Sequence, residues 1–96
     1  MRKMEVLKVR VTNGSRKRVL DLLRMNLEAI ERRHGVERVE LYFSEILESD
    51  VAVHLHWKKD ELREEKSELA EEISGGIRDY GIVHHTIWIH GGNHEK

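Results

Sequence analysis

Histidine is the enriched chemical resource of this chain, in three groups: His54-x-His56, His84-His85, and the pair His90 and His94 around two glycines and an asparagine. An imidazole titrates near neutrality and ligates first-row metals, so paired imidazoles can serve acid/base chemistry or metal binding. His54 and His56 lie in the stretch from Val51 to Lys59, where Val51, Val53, Leu55 and Trp57 alternate with Ala52, His54 and His56. Period-two alternation sends the first set to one face of a sheet and both histidines to the other, about 6.5 to 7 Å apart. No Ser-His-Asp arrangement and no His-Glu-x-x-His motif is present. Cysteine is absent, which excludes disulfides, thiolate metal sites and cysteine nucleophiles and fits a reducing compartment, so the cytoplasm is the expected location.

A second chemical feature is Thr12-Asn13-Gly14-Ser15-Arg16-Lys17-Arg18, a turn followed by three basic residues at the start of a helical pattern. Helix N-termini present free amides and positive potential, so Ser15, Arg16, Lys17 and Arg18 form a candidate anion site; a solvated basic surface is the plainer account. The spacing is not that of a P-loop. Eight Lys/Arg between Arg2 and Arg24 oppose only Glu5 and Asp21, yet the whole chain has a formal net charge of -1 with 36% charged residues. That balance points away from nucleic acid and membrane surfaces as partners. No apolar run is long enough for a signal peptide or a membrane span.

The elements that must position these groups follow from periodicity. A strand at 4–12 puts Leu7, Val9 and Val11 on one face and Val6, Lys8 and Arg10 on the other. Ser15 is an N-cap candidate for a helix of about 18 residues, with Val19, Leu20, Leu23, Leu27 and Ile30 as its stripe and Gly35 as its stop. A strand at 36–43 carries Val39, Leu41 and Phe43 against Arg38, Glu40 and Tyr42, and Ser44 to Asp50 connects it to the histidine strand. A second helix begins at an Asp60 cap or, preferably, at Ser67, using Leu62, Leu69, Ala70, Ile73 and Ile77; Gly75-Gly76 marks its end, a kink or a close backbone contact. A last strand at 82–90 sets Val83, His85, Ile87 and Ile89 against His84, Thr86, Trp88 and His90. The 96 residues thus form one domain, with 91–96 as a flexible tail. The order βαββαβ, with one apolar stripe per helix, is satisfied by an α+β, ferredoxin-like sandwich: an antiparallel sheet of order 4-1-3-2 with both helices on one face.

The other face is left with Lys8, Arg10, Tyr42, His54, His56, His84, Thr86, Trp88 and His90. Its exposed indole and imidazoles suit a partner or ligand surface; the first expectation is a homodimer interface and the second a pocket in which Lys8, Arg10, Tyr42, His54, His56, His84 and Trp88 bind a small molecule. His54, His56 and Trp88 are the catalytic candidates. In the 4-1-3-2 order the first strand separates His84 and His90 from His54 and His56, so these histidines do not form one cluster and no metal site is assigned. His85 faces inward as a hydrogen-bonded boundary residue. The centres of the first and third strands offer the open face none of the stacking aromatics of an RNA-recognition sheet.

The helix ending Arg32-Arg33-His34-Gly35, the strand after it, Phe43 to Glu48, and the strand from Val51 to Lys59 with its terminal Trp57 resemble the dimeric αβ-barrel superfamily, and within it the antibiotic-biosynthesis-monooxygenase-like proteins. The resemblance implies two sheets packed into a dimeric barrel, and an activity that ranges from cofactor-independent oxidation of aromatic substrates through haem degradation to none known. Haem-degrading members use an Asn on the first strand and a Trp and a His on the second helix. Here the first strand has no Asn before Asn13, and Leu62 to Tyr80 contains neither His nor Trp. Trp57 matches the strand-end tryptophan and is assigned to core packing. The expectation is therefore a homodimer with a small-molecule cavity at its open sheet face and no cofactor required by the sequence. The alternatives are a regulatory or accessory module that binds a metabolite or anion without turnover, and a cofactor-independent monooxygenase-like enzyme.

Overall fold

A computed structural model describes residues 2–12, 14–47, 49–62 and 66–92. The elements run β1 (Lys3–Val11), α1 (Arg16–Glu31), β2 (Val36–Phe43), β3 (Asp50–Trp57), α2 (Glu68–Ile77), a 3-10 turn (Arg78–Tyr80) and β4 (Gly81–Ile89). The strands form one antiparallel sheet of order β2-β3-β1-β4, which is the expected 4-1-3-2 sheet read from its other edge. Helices and sheet together make the ferredoxin-like α+β sandwich.

One face of the sheet supplies the core. Leu7, Val9 and Val11 of β1, Val39 of β2 and Val51, Val53, Leu55 and Trp57 of β3 are buried there, against Val19, Leu20, Leu23 and Ile30 of α1 and Leu69, Ala70, Ile73 and Ile77 of α2. These are the positions that the periods of 2 and 3.6 select. Leu62 is buried in the same cluster but precedes α2 instead of belonging to it.

Element ends follow local chemistry. Ser67, in extended conformation, caps α2 by accepting a hydrogen bond from the Ala70 amide at 2.9 Å, whereas Asp60 sits in a turn at φ +62° and begins no helix. Ser15 occupies the N-cap position of α1 but makes no side-chain cap. Gly35 (φ +84°) ends the run that follows α1 in a conformation that favours glycine. Gly75 and Gly76 lie inside the last turns of α2, which continues to Ile77, and a Cβ at either would meet nothing within 4 Å, so neither marks a close backbone contact. Asp50 begins β3 and belongs to the sheet. Asn13, Glu48 and the tail residues from 93 onward, His94 among them, lie outside the described residues; Gly91 and Gly92 follow β4 without regular structure.

Candidate functional site

The sheet register places the side chains of the uncovered face in rows. Glu40 pairs with His54, which pairs with Val6, which pairs with Thr86. The next row is Arg38, His56, Met4 and Trp88, and the row on the other side is Tyr42, Ala52, Lys8 and His84. His54 and His56 are thus neighbours on β3, with β2 supplying Glu40 and Tyr42 beside them. β1 stands between them and the β4 residues His84 and Trp88, as the strand order requires.

At the centre of the site, His56 Nε2 lies 2.5 Å from Glu40 Oε1, and the Tyr42 hydroxyl donates to Glu40 Oε2 at 3.1 Å. The Tyr42 and His54 rings are 4.6 Å apart at a tilt of 45°, and those of His54 and His56 are 6.4 Å apart. Arg38 Nε reaches Glu40 Oε1 at 3.6 Å. Partial burial works against the Glu40 carboxylate, but hydrogen bonds from His56 and Tyr42, with the charges of His56 and Arg38, outweigh it and hold its pKa below the usual range. Accepting from Tyr42, the same carboxylate raises the phenol's pKa, burial adding to the effect. Burial and then the neighbouring His56 push His54 down, against the opposite pull of Glu40, so His54 favours its neutral, ligating form.

The other candidates are distributed around this cluster. Trp88 is largely exposed and its Nε1 donates to Thr86 Oγ1 at 3.0 Å. It shares with His56, Met4, Arg38 and Ile89 a cleft of about 620 Å³ that opens at one end of the sheet. His84 is exposed in the row of Lys8 and Ala52. The charges of Lys8 and Arg10 are shared with buried Asp50, at 3.3 and 3.5 Å, so this pair is engaged by the protein's own carboxylate. In the candidate anion site the Arg16 guanidinium lies over the Phe43 ring, 4.7 Å from its centroid, while Lys17 and Arg18 are exposed.

Two carboxylates make contacts that the sequence does not reveal, one in the site and one in the core. Glu40 stood in the correct parity on β2, but only the register shows that it faces His54. Glu5, fully buried on the core face of β1, accepts from Trp57 Nε1 at 2.8 Å and from the Ser67 amide at 3.1 Å. His85 Nε2 is buried 2.7 Å from Glu5 Oε2 but off the line of a good hydrogen bond, so the hydrogen bond expected at this inward-facing residue is replaced by close contact with the carboxylate. A carboxylate in the inward register of Leu7 and Val9 was the available signal. Trp57 is a core residue, as expected, and its indole N–H is satisfied by Glu5.

No family model matches the sequence, and no curated protein is significantly similar to it. Solved structures do resemble it over nearly their full length. SnoaB, a cofactor-independent oxygenase from Streptomyces nogalater, superposes with a TM-score of 0.74 at 12% identity, covering 96% of this chain and 95% of that one. The chain shares its fold with the antibiotic biosynthesis monooxygenases. Rv0793 from Mycobacterium tuberculosis (TM-score 0.75, 12% identity, 99% and 100% covered) has this fold, as does a protein from Nitrosomonas europaea classed with the antibiotic biosynthesis monooxygenases (0.71, 14%, 94% and 99%). This is the fold that the histidine strand suggested. Among the described residues no helix is long and apolar enough to cross a membrane.

Proposed function

We propose that two copies of this chain pair through their open sheet faces and enclose a cavity that binds a small aromatic molecule bearing a hydrogen-bonding group. The uncovered face carries the reading. Both helices pack on the opposite side, yet this face holds Trp88, Ile82 and Tyr42 at 59, 62 and 47% exposure around the polar Glu40, His54 and His56 cluster. A second sheet would cover the apolar side chains and leave the cluster facing an enclosed space. The indole and the tyrosine offer stacking area, while the imidazoles and the phenol offer directional hydrogen bonds.

Turnover of that molecule is a second reading. The continuous chain from His56 through Glu40 to Tyr42 can accept and pass on a substrate proton, and SnoaB, with the same fold, is an oxygenase that needs no cofactor. Light scattering gives the mass, and ligand-observed NMR against small phenols and heteroaromatics gives binding. The double variant His54→Ala, His56→Ala is expected to keep a dimer's mass and lose binding. Dissociation of the variant would make the histidines part of the seam, and a monomeric wild-type chain would end the proposal. Oxygen uptake with the phenols that bind tests turnover.

A further inference from the structure

Among the described residues, one group of ligating side chains converges: a nitrogen of His54, a nitrogen of His56 and a carboxylate oxygen of Glu40 all lie within 4.8 Å of one another. We infer that Glu40, His54 and His56 form a site for a first-row divalent metal ion. It rests on one chain's register and not on the dimeric cavity, since Glu40 is directly cross-strand from His54 and His56 is two residues along the same face. Two imidazoles and one carboxylate are the donors that zinc and its neighbours take, at about 2.0 to 2.2 Å.

Tetrahedral bonds of that length place donors about 3.4 Å apart, so small rotamer changes close the group around an ion. The ion replaces the present contact of His56 with Glu40 and displaces Arg38, whose guanidinium lies 3.6 Å from the same oxygen and is now the competing cation. Arg38 is more than half exposed and can leave without burying its charge. Tyr42, donating to the second oxygen of Glu40, holds the carboxylate in place as the outer partner that metal ligands ordinarily have. Three protein ligands leave at least one coordination position open toward the uncovered side of the sheet, the ligand number of a site that binds or polarises an exogenous molecule and not of a closed structural site.

The test is calorimetric titration of the untagged full-length chain with Zn²⁺, with Co²⁺ absorption as a second reading of coordination. One Zn²⁺ per chain is expected, with affinity falling at least about tenfold in each of His54→Ala, His56→Ala and Glu40→Gln. His84→Ala and His90→Ala are expected to bind as the wild type does. In the unsubstituted chain, Zn²⁺ should shift the imidazole resonances of His54 and His56 first, which keeps the test valid if a variant fails to fold. No binding, or binding indifferent to these three substitutions, overturns the assignment. Metal binding by a chain of monomeric mass would uphold the site and end the dimeric cavity; a dimer that binds phenols but no metal would do the reverse.

Discussion

Glu5 occupies a core-facing position of β1 where the period-two pattern asks for an apolar side chain, and both of its oxygens are used. It ties the indole of β3, the first amide before α2 and the imidazole of β4 to one point. Truncating it would leave the Trp57 N–H and the Ser67 amide buried without acceptors, so Glu5→Ala should lower stability by about 3 kcal/mol, read from urea unfolding. Glu5→Gln keeps the volume and an acceptor for the indole and should lose roughly half as much; a Gln variant as stable as the wild type would mean that volume and not hydrogen bonding sets the cost. Asp50 gives the pH dependence. Burial opposes its charged form, but Lys8, Ser49 and Arg10 together pull its pKa below the ordinary 3.8. A carboxylate depressed in the folded state contributes stability that is fully present above its unfolded pKa and is lost as pH falls through the folded value. Wild-type stability should therefore decline below about pH 4, and Asp50→Asn should be less stable at neutral pH with a shallower decline in acid, followed by thermal unfolding across pH.

At the scale of elements, two glycines make opposite predictions. Gly75 is exposed inside α2, where an added Cβ meets nothing, so Gly75→Ala should raise stability by about 0.5 to 1 kcal/mol through helix propensity. Gly81 opens β4 against β1, and a Cβ there would lie 2.1 Å from the Arg10 carbonyl oxygen, so Gly81→Ala must push two paired strands apart and should be destabilising. Thermal melts of the two variants should move to opposite sides of the wild type. The contrast also shows what the sequence could convey. Alternation in β1, β2, β3 and β4 and the stripes of α1 and α2 are local patterns, and they sufficed for element order, core faces and sheet order. The environment of Gly81, the pairing of Asp50 with Lys8 and Arg10, and the approach of Glu40 to His54 depend on register between strands, which no single strand encodes. The histidines were legible by type and spacing; the carboxylate that completes their cluster was not, because it lies on a different strand.

For the molecule as a whole, the asymmetry of the sheet decides what can be stable. A chain of 96 residues has one core, and here it lies entirely between the helices and one sheet face. If a second copy covers the other face, folding and association are coupled, and unfolding temperature must rise with protein concentration: each tenfold increase adds about 1.4 kcal/mol per dimer to the apparent stability. Trp88 and Ile82, at opposite ends of β4 on the open face, are the side chains with most apolar area to lose from water there. Introducing charge at both, Trp88→Glu with Ile82→Lys, should yield a folded chain of half the mass whose melting temperature is lower and independent of concentration. Met25→Glu, at an exposed position of α1 on the opposite side of the molecule, should change neither mass nor concentration dependence. Should the Met25 variant dissociate while the β4 variant remains dimeric, the copies pair through the helices, and the Glu40, His54 and His56 cluster faces solvent in the assembled protein.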